Sequence, residues 1–471
     1  MFKKIFSYAA WLYSLSMISS AISFFVTMYM VRIIQKAELG KYAIYVAIYS
    51  LSGAFLTAGM DRTFVKFVGE KDDDYADLIV LYILLTLCCA IIFGVIGILL
   101  SPIFDHEIWM GIIAIGPFVC TYNAACIFRG RLEQSSEIKL VMGISFLNSL
   151  LTITLLSFCQ NEWAPIIGDF LSLLIPSFVL MYVFFRRIGP ISREKILLTN
   201  KRKMVRDFFN FAKPLWFAGV AFATNDQLTS FLIKAFLNYK SLGEFYFART
   251  MLMLIHKPVD TLSKVLLAGF SIKREVDLKH FKTIIGANLL LFPSLAIFVI
   301  NALPVLIAVL GLKQYSDAGF YVTLLVLSLP LICVQAIMGI VNVVFNVPVV
   351  SQRSYVFSSV LCAPASVGMI YYLGIPGAAL VPSLYALVLF FANVFLLRNI
   401  AREHAILSLK LGVVGEVLYG VSLLFSFYCG NLFTVWLIIG VYVLFGGYIL
   451  KLWDLRESYS ILVRVFKKKT S

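Results

Sequence analysis

Two short stretches, ELGKYAIY (38–45) and SLGEFYFA (241–248), decide the reading of this chain. At an offset of 203 residues, Leu39-Gly40 falls on Leu242-Gly243 and Tyr42 on Phe245. The same offset lays FSYAAWLYS (6–14) over FNFAKPLWF (209–217), matching Phe6 with Phe209, Ala9 with Ala212 and Leu12 with Leu215. One ungapped offset thus runs from the start of one apolar helix to the start of the next, the mark of an internal repeat.

Around these stretches the chain is apolar almost throughout. Of its 471 residues 61% are hydrophobic and only 14% charged, against about 25% charged in soluble domains, and the mean hydropathy is +0.92. A helical span needs roughly 20 apolar residues. Fourteen segments qualify: 8–31, 42–60, 78–101, 108–128, 138–159, 163–185, 211–237, 242–266, 284–310, 319–346, 354–373, 376–397, 411–429 and 432–452. They are too long and too evenly apolar for barrel strands. The opening MFKKIFSYAAWLYSLSM has the charge pattern of a signal peptide, but its apolar run continues to Val31, so it is expected to stay as the first helix.

The expected fold is an all-α integral membrane protein with about 14 transmembrane helices. Six helices precede the second copy, an even number, so the halves share one orientation and form a parallel repeat about an axis along the membrane normal. The expected divisions are a six-helix bundle over 1–186, a basic cytoplasmic linker over 187–210, a second six-helix bundle over 211–398, and helices 13 and 14 with a basic cytoplasmic tail over 399–471. Halves so related enclose a central cavity that opens to one side at a time.

The net charge of +15 is distributed unevenly. With the N-terminus inside, 33 of the 40 Lys and Arg residues fall in cytoplasmic segments and six outside. This asymmetry predicts both termini in the cytoplasm. The stretch RRIGPISREKILLTNKRKMVRDFFNF (186–211) is suited to anionic membrane lipid, so the basic balance calls for no nucleic acid. The eight cysteines lie in or beside apolar spans without CxxC spacing, which suits packing rather than disulfides or zinc.

The LG-x-Y/F element before the second helix of each half, the scattered serines of the first helix, and TAGMDRTFVKF (57–67) closing the second resemble the Wzx-type polysaccharide (O-antigen) flippases. These belong to the multidrug/oligosaccharidyl-lipid/polysaccharide exporter superfamily, which includes the MATE-like transporters. The resemblance implies a V-shaped pair of six-helix bundles working by alternating access in the bacterial cytoplasmic (inner) membrane. It implies a cargo of undecaprenyl-pyrophosphate-linked oligosaccharide, an O-antigen or capsule-type repeat unit, moved to the outer leaflet for lipopolysaccharide or other polysaccharide biosynthesis. Polysaccharide polymerase and chain-length regulator are the matching partners. The first helix carries no charge between Lys4 and Arg32, unlike the Arg-rich first helix of lipid II flippases.

Charges inside spans are costly and tend to face a protein interior or a water-filled cavity. Segment 242–266 concentrates them. At 100° per residue, Arg249, His256, Lys257, Asp260 and Lys264 share an arc of about 100°, and Pro258 is expected to kink the helix. In one reading Arg249, His256, Lys257 and Lys264 form a cationic cavity wall for pyrophosphate, with Arg binding oxygens bidentately. In the other, Lys257, Asp260 and Lys264 sit in water at the cytoplasmic end, with an ordinary i,i+4 pair.

Asp226, in FATNDQLTSF, is a mid-span carboxylate and a candidate for ion coupling, as is Asp260; the alternative for Asp226 is a buried ion pair. Ser16, Ser20, Ser23 and Thr27 form a stripe that the offset maps onto Gly219, Ala223, Asp226 and Ser230. That pattern suits a cavity lining or small-residue helix packing. Asp61 and Arg62 are either a cytoplasmic gate or an interfacial pair. Asp169 is a lone acid in the sixth span. Asn123, Asn148, Gln335, Asn342 and Asn346 either bind sugar or bond between helices.

A P-loop, HExxH, nucleophile elbow and clustered metal ligands are all missing from the sequence. No enzyme, metal site or cofactor is therefore expected beyond H+ or Na+ as coupling ion. The alternatives are a cation-coupled small-molecule exporter and a polysaccharide polymerase or ligase. The first fits poorly with a cationic helix, and the second with short outer loops.

Overall fold

A computed structural model describes residues 2–57, 62–63, 88, 90–130, 134–188, 202–273, 278–429 and 432–449. Among these residues the regular structure is helical and no strand occurs. The first helices are α1 (Phe2–Ile33), α2 (Lys36–Thr57), α3 (Ala90–Leu100), α4 (His106–Gly130), α5 (Gln134–Phe158) and α6 (Trp163–Ile188). After them come α7 (Arg202–Phe236), α8 (Tyr239–Lys273), α9 (Leu278–Val309), α10 (Ala318–Val326), α11 (Leu329–Val344), α12 (Pro348–Leu373) and α13 (Ile375–Leu397). The chain closes on α14 (Arg402–Cys429) and α15 (Leu432–Ile449).

Helix boundaries follow local chemistry. Asn346 (φ 60°) and Gly374 (φ 67°) both have a positive φ where one helix gives way to the next. Each is followed by a proline in the first turn of the next helix, Pro348 in α12 and Pro376 in α13. Asn346 thus has a backbone role that the sugar-binding and interhelical readings did not anticipate. Helix α7 begins at Arg202, so the end of the 187–210 linker is helical. Phe208 and Ala212, one turn apart, are both buried there and hold it so. Helix α8 continues through Pro258 to Lys273, past the expected end at 266.

The surface shows what surrounds the helices. Phe158, Tyr372 and Val309 are 81%, 82% and 76% exposed. Among the described residues α2, α6, α9, α12, α13 and α14 are each long and apolar enough to cross a membrane. Residues 313–326, which include α10, and α11 meet at 47° and pass the same test of length and apolarity together. This is a multi-pass membrane protein. The expectation of about fourteen spans reaches into residues outside those described.

Lipid gives apolar side chains no reason to leave it, so helices associate through small residues and polar bonds. Helix α12 displays this. Ser351, Ser354, Ser358, Cys362 and Ser366 are buried on it. Ser354, Ser358 and Ser366 return their hydroxyls to their own helix carbonyls. Beside them Ser359 donates to the Ala221 carbonyl of α7 at 2.9 Å.

The packing repeats between the halves. Helix α1 packs on α5, α2 on α4, α4 on α6, and α5 on α6. Moved on by one half, α7 packs on α12, α8 on α10 and α11, both of these on α13, and α12 on α13. Between the halves the contacts are reciprocal: α1 meets α8, α7 meets α2, and α2 meets α8. Helices α14 and α15 lie against α9 and against one another, with α14 also on α11.

Candidate functional site

The site is built where α2 and α8 cross. Lys36 begins α2, and Tyr239, its mate at the offset of 203, begins α8. One turn into each helix the glycines of the LG elements face the other backbone. A Cβ on Gly40 would overlap the Tyr239 carbonyl, and one on Gly243 the Lys36 carbonyl. Only glycine permits this approach.

Polar contacts between the halves surround the crossing. Lys36 pairs with Glu244 at 3.3 Å and lies 5.0 Å from the centre of the Tyr315 ring. The Tyr239 hydroxyl donates to Glu107 at 2.8 Å. Within the first half Lys41 donates to Glu162 at 2.8 Å, and His106 reaches Glu162 at 3.3 Å and Glu107 at 3.5 Å. The His106 ring stacks on Trp163 at 4.4 Å. Burial works to raise the Glu162 carboxyl. The hydrogen bond and charge of Lys41, with His106, outweigh it and hold the group below its ordinary value. Together these contacts tie α2, α4 and α8, and the start of α6, around the crossing.

Further along the helices a polar belt crosses from half to half. Arg249 and Asp226 each lie ten residues from the α7–α8 connection, about 15 Å along their helices. Nη2 of Arg249 bonds Oδ2 of Asp226 at 2.5 Å, and Gln227 donates to the same oxygen at 3.0 Å. Arg249 is mostly buried, its side chain 14% exposed, while Asp226 remains 32% exposed. Of the two sequence readings of Asp226, the ion-pair geometry is present.

In the first half Asp169 accepts from Asn148 at 2.8 Å, and Thr152 donates to Asn148 at 2.9 Å. Tyr45 and Tyr49 of α2 lie beside Asp169. Tyr246 joins the two halves of the belt. It meets Tyr42 edge-on at 5.7 Å and interacts electrostatically with both Asp169 and Arg249. Asp169 is therefore no lone acid.

The other sequence candidates are more dispersed. His256 is half-buried two turns beyond Arg249 on α8. Asp61 and the side chains of Lys257, Asp260 and Lys264 lie outside the described residues, as do those of Ser16 and Asn123. Arg62 reaches the second half, its Nη1 3.3 Å from where a Cβ on Gly339 of α11 would stand. Nearby the indole of Trp216 donates to the Phe55 carbonyl at 2.6 Å, fastening α7 to α2. Ser20 and Thr27 are buried, which favours packing over lining for those two. Asn342 donates to Ser351 and Asn393, both at 3.1 Å, and so bonds between helices.

Sequence reasoning missed Glu107, Glu162, Glu244 and Tyr239. The offset held the signal. Lys36 and Lys41 map onto Tyr239 and Glu244, so each half meets a different partner at the crossing.

The arrangement has a fold like those of the lipid II flippase MurJ and of MATE transporters. The lipid II flippase MurJ in an inward closed conformation matches with a TM-score of 0.62 at 15% identity, covering 93% of this chain and 98% of that one. An inward-facing multidrug resistance MATE family transporter of the MOP superfamily matches at 0.54 and 14%, covering 89% and 96%. The Vibrio cholerae MATE transporter VcmN matches at 0.55 and 13%, covering 85% and 97%. At such identities the likeness is one of fold. Among curated proteins no sequence matches. The family model of polysaccharide biosynthesis proteins matches residues 29–318, well over half of the chain, and the chain belongs to that family.

Proposed function

We propose that the protein flips an undecaprenyl-pyrophosphate-linked oligosaccharide from the cytoplasmic to the outer leaflet of the bacterial inner membrane. It works by alternating access between bundles 1–186 and 211–398, with both termini in the cytoplasm. The observation that carries this reading is the Arg249–Asp226 pair at mid-depth. An arginine there is costly, and its fork fits phosphate oxygens as well as it fits a carboxylate. Family membership and the cationic composition of α8 favour an anionic, lipid-linked cargo over the cationic drugs of MATE exporters.

The pair suggests how cargo and ion are linked. Pyrophosphate and Asp226 compete for one guanidinium. When the cargo takes Arg249, Asp226 loses its counter-charge in a low-dielectric site and binds H+ or Na+ instead. When the cargo leaves, Asp226 returns to Arg249 and releases the ion. His256, Lys257 and Lys264 supply further positive charge along α8, with Asp260 as a second acid. Asp61 and Arg62 serve the cytoplasmic gate. The contacts of Lys36 with Glu244 and of Tyr239 with Glu107 are those that opening to the outside would break. Sugar polymerase and chain-length regulator act on the delivered unit.

The test is made in spheroplasts. Cells lacking the protein should accumulate lipid-linked oligosaccharide that a membrane-impermeant glycosidase cannot reach, and restoring the gene should expose it. Equal accessibility in both strains, or export of a cationic dye in its place, would refute the proposal.

A further inference from the structure

Helix α7 carries an exposed aromatic ring beside its acid. Phe222 is 48% exposed and lies four residues before Asp226. At 100° and 1.5 Å per residue, the two are about 40° apart round the helix and about 6 Å apart along it. They therefore share one face. Asp226 is itself 32% exposed, and an ionisable group inside a span faces a protein interior or water rather than lipid. Phe217, 38% exposed, stands about 180° from Asp226. Helix α7 is thus open on two opposite faces, and the apolar one suits lipid.

The flanks between those faces are covered. Trp216, about 80° to one side of Asp226, is fastened to α2 of the first half. Ala218, about 80° to the other side, is buried, and α12 of the second half packs on α7. The face of Phe222 and Asp226 thus opens between α2 and α12, one from each half.

The Phe222 ring is held from one side. Tyr355 of α12 meets it edge-on at 6.0 Å, and Tyr385 of α13 lies tilted to it at 6.2 Å. Tyr385 is buried, with its hydroxyl 3.3 Å from that of Ser359. Ser359 in turn donates to the carbonyl of Ala221, the residue before Phe222. Two helices of the second half therefore fix the ring and leave nearly half of it uncovered.

We propose that Phe222 is the platform for the sugar joined to the pyrophosphate of the cargo. This rests on the reading of Arg249 as the pyrophosphate site. In such a cargo the first sugar is bonded directly to a phosphate, so phosphate held at Arg249 leaves that sugar within about one helix turn. Phe222 stands one turn from Asp226, the partner of Arg249. A sugar ring has hydroxyls at its rim and C–H groups on its faces, and an aromatic face is electron-rich. The two stack without a hydrogen-bond partner for each hydroxyl. Such a platform accepts sugars of many kinds, and it favours a loaded carrier over one that bears no sugar.

The full-length protein in detergent provides the test, with two radiolabelled probes: undecaprenyl-pyrophosphate-linked oligosaccharide, and undecaprenyl pyrophosphate without sugar. Wild type should bind the first more tightly, by about three- to tenfold. Phe222→Leu should abolish that preference and leave binding of the bare carrier unchanged. Phe222→Met, an unbranched chain of similar volume, makes the same test should the leucine variant fail to fold. Phe222→Tyr keeps the ring and should keep the preference. Arg249→Lys reports separately on the pyrophosphate and should weaken both carriers alike. Unchanged binding of both carriers by Arg249→Lys would refute the pyrophosphate reading and the platform placed by it. A preference that persists in Phe222→Leu, or equal weakening of both carriers by it, would overturn the platform alone.

Discussion

Gly40 and Gly243 meet where α2 crosses α8, each against the backbone of the other helix. Each lies over the carbonyl four residues before its repeat mate, Gly40 over Tyr239 and Gly243 over Lys36. The contact is thus its own image under the internal repeat, and it brings the two halves together directly above the polar belt.

Filling that crossing should push the halves apart. Gly40→Ala and Gly243→Ala should each lower the melting temperature in detergent, with a cost of about 1–3 kcal/mol from overpacking. The valine variants should cost more. Gly143→Ala and Gly368→Ala, where a Cβ meets nothing within 4 Å, are the controls and should leave it unchanged. Equal melting of all the variants would show that the crossing is not close in the working protein.

The Arg249–Asp226 pair should be coupled. Arg249→Ala and Asp226→Asn each strand one member of a pair inside the membrane, at about 3–5 kcal/mol. The double variant should be more stable than the sum of the single losses requires, a coupling of at least about 0.5 kcal/mol in a double-mutant cycle of thermal stability. Additive losses would mean that the two groups act alone. Asp226→Asn should also impair turnover more than cargo binding.

Closure at the α2–α8 end should be lockable. Cysteines introduced as Lys36→Cys and Glu244→Cys should, when cross-linked, stop glycan export, and reduction should restore it. Export that continues with the link formed would exclude opening at this end from the cycle.

The Lys41–Glu162 pair should give this end a sensitivity to acid. Glu162 is held below the carboxylate value of 4.5, so its stabilising effect is present above that pH and is lost as the pH falls through the lowered value. Lys41→Met should be less stable than wild type at neutral pH, and the difference should close below about pH 4.5. A gap in melting temperature that stays constant with pH would count against the pair.

What was legible in the sequence follows from length scales. The apolar spans and the offset of 203 repeat over tens of residues, and the helical packing follows both. Arg249 and Asp226 stood out because charge inside a span is rare. The ion pair was one of two readings of Asp226 and named no partner, since nothing in the sequence aligns two residues 23 apart on neighbouring helices. Glu244 and Glu162 carry no signal of their own in the sequence, because their partners Lys36 and Lys41 become neighbours only through tertiary packing. The break between α10 and α11 was hidden for a different reason: segment 319–346 reads as one uninterrupted apolar span.

The central claim is that Arg249 receives the pyrophosphate of the cargo. It is tested most directly in proteoliposomes carrying undecaprenyl-pyrophosphate-linked oligosaccharide, with leaflet crossing followed by a membrane-impermeant glycosidase. Wild type, Arg249→Lys and Arg249→Ala are compared at matched, folded amounts. The expected result is transfer by wild type, partial transfer by Arg249→Lys, which has lost the bidentate fork, and none by Arg249→Ala. Transfer by Arg249→Ala at the wild-type rate would contradict it.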